Sequence, residues 1–165
     1  MEITENTKRF IGILAKIPIF RRLQPVQALE ILKVCKPTPF DDRETLMAHG
    51  SKSKEMYILL SGTLVVTAPD RTALPNLSPI TSVRVMGIIT NDPRTANVIA
   101  SGKTSVFEIR KIKFEVLFKK NPDIGFVIFR NIILTLSNRL DNTNQQLVES
   151  RHEAETLRSG APIPS

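Results

Sequence analysis

The spacing of apolar residues changes period twice along this chain, and that limits the fold more than any single motif. Up to Pro39 the period is helical. "TENTKRFIGILAKIP" sets Phe10, Ile13, Leu14 and Ile17 on one helical face and closes at Pro18. "QPVQALEILKVCKP" follows with Leu29, Leu32 and Val34 apolar, Pro25 in its first turn and Pro37 beyond its end. "IPIFRRL" joins the two as a short apolar connector.

From Phe40 the period is that of strands. Short apolar runs recur about every ten residues with turn residues between them, the pattern of a small antiparallel sandwich or barrel. The runs fall at Thr45–Ala48, Met56–Leu60, Thr63–Ala68 and in "SPITSVRVMGII", "TANVIASG" and "TSVFEIRKIKF". Gly50–Lys54 reads as a polar turn and Ser61-Gly62 as a tight turn between two strands. The expectation is a β-roll of seven or eight strands.

The helical period returns in "KFEVLFKK", which Asn121-Pro122 stops, and then runs from Asp123 to about Arg158. Phe126, Ile133, Leu140, Leu147 and Ala154 recur every seven residues, and Phe129, Leu136 and Leu157 take the adjoining heptad seat. About 35 residues at 1.5 Å each exceed 50 Å, longer than a small domain is wide. Phe126, Phe129, Ile133, Leu136, Leu140 and Leu147 therefore read as a parallel homodimer seam, although packing on the chain's own roll would also use the first half of the stripe. The organisation is N-terminal helices over residues 1–39, a β-roll over 40–112, C-terminal helices with the seam over 113–158, and a disordered tail over 159–165. The fold class is α+β, a jelly-roll-like antiparallel β-roll flanked by helices.

Composition narrows the chemistry. The 165 residues are 41% hydrophobic and 24% charged, ordinary for a globular domain with a real core. No run reaches the roughly 20 apolar residues of a membrane span, and "MEITENTKRF" has no secretory pattern. The single cysteine, Cys35, cannot form an internal disulfide and lies on an apolar stripe, where a thiol is inert. These features predict a cytoplasmic chain without a membrane partner. His49 and His152 are the only histidines and lie far apart, so no metal site is expected. No glycine-rich phosphate loop of the GxxxxGKS kind and no paired nucleophile and base stand in the sequence, which predicts no catalytic residues and no enzyme. The net charge of +7 is dispersed and not interleaved with stacking aromatics, which suits an anionic ligand or an acidic partner better than DNA.

The order of these segments resembles the cyclic nucleotide-binding domain family, which includes catabolite activator proteins, kinase regulatory subunits and gated ion channels. "IPIFRRLQPVQALEIL" resembles the family's first helical motif. "FDDRETLMAHGSKSKEMYILLSGTLVV" resembles its signature strands, with Gly50 at the turn and Tyr57 to Gly62 as the patterned segment. "MGIITNDPRTANVIA" falls where the family has its phosphate-binding cassette, and "FEIRKIKFEVLFKKNP" resembles its last strand and following helix. The resemblance implies a cyclic nucleotide, cyclic AMP or cyclic GMP, as ligand, with no other cofactor. Arg94 takes the position of the phosphate arginine, Thr95 and Ala96 those of the small residues beside it, and Gly87 opens the cassette. A phosphate favours N–H donors at a helix N-terminus and a forked cation, which is the chemistry such a cassette supplies.

Two departures stand beside it. Ile88 occupies the place of the family's ribose glutamate, removing a charge-assisted hydrogen bond of about 1.5–3 kcal/mol. Only six residues separate Gly87 from Arg94, fewer than is usual in the family. Asp92 reads as a turn cap or as Arg94's ion-pair partner, and Glu108 as a surface residue on a strand face. Residues 141–165 leave no room for the helix-turn-helix of the family's transcription factors, so direct DNA binding is not expected. Three functions follow: a dimeric nucleotide-sensing regulatory module signalling through its flanking helices; a ligand-free scaffold for a signalling protein, its pocket plugged by Ile88 and Ile89; and a cyclic dinucleotide receptor using Arg84, Arg94, Arg110 and Lys111.

Overall fold

The computed structural model describes residues 4–52, 54–70, 72–83 and 93–159. Helix α1, Glu5–Lys16, starts at a Thr4 cap whose hydroxyl accepts from the Thr7 N–H. A 3-10 turn, Pro18–Phe20, leads to α2, Pro25–Val34. Strands β1 (Lys36–Phe40), β2 (Thr45–Met47), β3 (Glu55–Thr67), β4 (Ala73–Leu77), β5 (Thr81–Val83) and β6 (Asn97–Arg110) form one antiparallel sheet. Helices α3, Lys111–Lys120, and α4, Pro122–Ser159, complete the chain. The α+β architecture expected from the sequence is the one observed.

β3 and β6 are the spine. They pair from Glu55↔Arg110 to Thr67↔Asn97. β5 and β1 flank one half of this ladder, and β4 and β2 flank the other. Ser61-Gly62 is therefore not a tight turn between two strands. It is a register shift inside one strand, where Gly62 holds φ +90°. A Cβ there would lie 2.5 Å from Thr104 Oγ1 and 2.7 Å from the Lys103 carbonyl, so only glycine lets the strands approach this closely. "TANVIASG" and "TSVFEIRKIKF" likewise fuse into β6, with Gly102 at φ +72° where the strand bends and helix taking over at Lys111. Six strands stand among the described residues where seven or eight were expected.

Strand alternation sorts the core into two layers. Met56, Ile58, Phe107 and Ile109 face the helices and pack with Leu14, Ile17, Phe20, Ile31, Phe114 and Ile128. Tyr57, Leu59, Leu64, Val98 and Val106 face the roll interior. In α2 the fully buried side chains are Ala28 and Ile31, with Leu32 and Val34 at the margin; the apolar stripe is thus turned by about one residue from the expected one. Cys35 caps α2, its thiol donating to the Ile31 carbonyl, and burial pushes that thiol up to about 12, so it stays protonated.

The inward face of α4 is Ile124, Ile128, Asn131 and Ile132. Asn131 is the polar member, and its Nδ2 donates to the Ile19 carbonyl at 3.0 Å and the Arg21 carbonyl at 2.7 Å. One amide thus ties α4 to the end of the 3-10 turn, where Arg22 takes φ +66°. Replacing it with alanine strands two carbonyls, the Ile19 one buried. Asn131→Ala is expected to lower unfolding stability by about 2 kcal/mol, read as a lower urea midpoint at unchanged slope.

Candidate functional site

Arg94 is a charged residue almost wholly inside the roll, with its side chain 1% exposed. Several contacts hold it. Its N–H donates to the Ser51 carbonyl at 3.0 Å, and its own carbonyl accepts from the Gly50 N–H at 2.8 Å. Its Nη2 donates to the Glu55 carbonyl at 3.0 Å and lies 3.7 Å from the Glu55 carboxylate. The turn at Gly50, held at φ +76°, brings the main-chain donors and acceptors into line, and the first residue of β3 meets the guanidinium.

The acid beside Arg94 is thus Glu55, 39 residues earlier in the chain. Asp92, the neighbour the sequence offered, lies outside the described residues, as do Gly87, Ile88, Ile89 and Arg84. Thr95 is exposed and Ala96 half-buried beside Arg94. Glu108 is not the surface residue expected. Its side chain is 13% exposed, it stands opposite Tyr57 in the β3–β6 ladder, and it accepts from Arg110 Nε at 3.1 Å. Both Glu108 and Tyr57 fall on the interior face with Glu55, by the same strand parity. Burial raises the Tyr57 phenol above its ordinary value, and the Glu55 and Glu108 carboxylates push it further while Arg94 and Arg110 pull back.

One end of the roll therefore carries alternating charge, Arg94 on Glu55 and Arg110 on Glu108, around a buried tyrosine. Of the basic residues a cyclic dinucleotide would use, Arg94 is buried, Arg110 is exposed and Lys111 lies 3.9 Å from Glu115, while Arg84 lies outside the described residues. Among the described residues no group of three or more histidine, cysteine or acidic side chains is placed to hold a metal.

The second candidate surface is α4. Phe126, Phe129, Ile133, Leu136, Leu140 and Leu147 are all exposed, with Phe126 at 72% and Ile133 at 65%. They occupy the side of the helix away from Ile124, Ile128 and Asn131. From Leu136 to Arg158 every side chain except Thr156 is exposed, so about 35 Å of helix stands clear of the body. A shallow groove lined by Pro18, Ile19, Ser82, Ile132, Thr135 and Leu136 lies where the helix departs. No described helix is long and apolar enough to cross a membrane.

Comparisons with known proteins agree on the fold. A cyclic nucleotide-gated potassium channel of Rhizobium etli is 24% identical over 70% of this chain and 32% of its own. The chain spans about a third of the length of the curated channel relatives it matches. Among solved structures, the Thermus thermophilus catabolite activator protein superposes with a TM-score of 0.70 at 20% identity, over 87% of this chain and 72% of that one. The regulatory domain of Toxoplasma gondii PKA, solved with cAMP, superposes with a TM-score of 0.63 at 19% identity, over 70% of this chain and 46% of that one. The family model described as "Cyclic nucleotide-binding domain" matches residues 37–121, from β1 to the end of α3 and just over half of the chain. With its bent β3–β6 spine, its flanking helices and that match, the chain belongs to the cyclic nucleotide-binding domain family.

Proposed function

We propose that this chain is a non-enzymatic regulatory module that takes a cyclic or other phosphorylated nucleotide onto Arg94 and reports it through the position of α4. The observation carrying this reading is the buried guanidinium of Arg94 at the edge of the apolar roll interior. A cation is costly to bury, and a chain that needed only packing there would use an apolar side chain. Phosphate is the anion whose oxygens best match the fork of a guanidinium. Cyclic AMP and cyclic GMP are the first candidates, since relatives carry cyclic nucleotides in their names. The reporting route is short. Ile19 and Phe20 of the 3-10 turn pack in the same core layer as Met56 and Ile58 of β3, and Asn131 holds that turn to α4. Ligand then shifts the population between two positions of α4.

A specific observation supports a second reading. Glu55 already answers the Arg94 charge, and Ile88 stands in place of the ribose acid, as in a domain that has given up its ligand and serves as an interaction scaffold. Calorimetric titration separates the two. The sensing reading expects micromolar binding of cyclic AMP or cyclic GMP, weakened about a hundredfold in Arg94→Ala. Absence of heat with both nucleotides, and with cyclic di-GMP, supports the scaffold.

Both readings use α4 as a homodimer seam. An isolated helix of this polarity is marginal in water, and the heptad stripe supplies the missing packing from a second copy. Wild-type protein is expected to sediment as a dimer at micromolar concentration. Ile133→Glu with Leu140→Glu is expected to raise the dissociation constant at least about a hundredfold, leaving a folded monomer because both side chains are exposed. A monomeric wild type would contradict the seam.

A further inference from the structure

Taking Arg94 as the anion-binding group, we infer that Glu55 sets the affinity of the site: its carboxylate holds the guanidinium while no ligand is bound and opposes an incoming phosphate. The inference rests on the sensing reading above. Glu55 meets Arg94 in two different ways. Its main-chain carbonyl accepts a hydrogen bond at 3.0 Å, whereas its carboxylate lies at 3.7 Å, an ion pair without the closer contact of a hydrogen bond. The first contact belongs to the backbone of β3, fixed by the ladder from Glu55↔Arg110 onward, and persists whichever side chain stands at position 55. The second depends on the side chain alone. Glu55 thus offers Arg94 one contact that survives any side-chain change and one that does not.

The two side chains also differ in access. That of Glu55 is 25% exposed against 1% for Arg94, so the carboxylate can turn to water while the cation stays inside. Arg110, opposite Glu55 in the ladder, is engaged by Glu108 at 3.1 Å. A phosphate reaching Arg94 therefore meets the charge of Glu55 in a site where screening by salt is weak. Glu55 is a positioning residue for Arg94 and the source of the repulsion a ligand must overcome.

Glu55→Gln keeps size and backbone anchor and removes only the charge. Two readouts apply. In the first, Arg94 is labelled with phenylglyoxal and mapped by mass spectrometry, with and without cyclic AMP or cyclic GMP. In the second, each nucleotide and uncharged adenosine are titrated calorimetrically. The expected result is slow Arg94 labelling in wild type and about tenfold faster labelling in Glu55→Gln, slowed again by the cyclic nucleotide. Cyclic nucleotide affinity should rise about tenfold while adenosine is unaffected, because only the phosphate feels the lost charge. Glu55→Asp draws the carboxylate back by one methylene and should fall between the two, which keeps the test open if the glutamine variant folds poorly. Equal Arg94 labelling in wild type and both variants overturns the inference, as does affinity that falls for cyclic nucleotide and adenosine together. Faster labelling that neither nucleotide slows, with no heat on titration, overturns the nucleotide reading and the affinity role with it, and leaves the ion pair a structural contact.

Discussion

A guanidinium inside a β-roll must be answered by an acceptor, and the way Arg94 is answered shapes the rest of this molecule. Its main chain clasps the turn at Gly50 and Ser51, and its side chain lies on Glu55 at the start of the longest ladder. The turn before β3, the start of β3 and the lead into β6 are thereby joined at one residue. The energetic balance there is narrow by construction. Burying such a cation costs several kcal/mol and the partner returns much of it; on the sensing reading, a competing anion would draw on that balance.

The two faces of α4 divide the labour of the C-terminal third. Ile124, Ile128 and Ile132 hold the helix to the body through burial of about 1.5–3 kcal/mol each, and Asn131 fixes its register on the 3-10 turn. The opposite stripe, from Phe126 to Leu147, is exposed, with Phe129 edge-on to Phe118 of α3. On the sensing reading proposed above, a helix held at one end and exposed over about 35 Å would turn a small rotation at Asn131 into a large displacement at its tip.

Much of this fold was legible from periodicity: the helical blocks, the strand block, the long heptad helix and the family resemblance at "PRTANVIA". What escaped has physical causes. Ser61-Gly62 carries the same local signal whether glycine reverses a chain or bends one, and only the approach of Thr104 from 42 residues away decides between them. Asn131 breaks the apolar pattern of α4, yet its place between Ile128 and Ile132 sets it on the buried face. Glu108 was misjudged as surface, although counting by two from Val106 places it on the interior side. Glu55 is beyond the reach of local pattern, because its partner Arg94 stands 39 residues further along the chain.

The most direct test of the account is hydrogen–deuterium exchange on the full chain, with and without saturating cyclic nucleotide. Coupling of Arg94 to α4 predicts added protection in peptides covering Gly50–Tyr57 and Arg94–Ala100, together with a change at Ile17–Leu23 and Asn131–Leu136. Exchange that stays the same in the Arg94 peptides, or changes there without any response at Asn131, would contradict it.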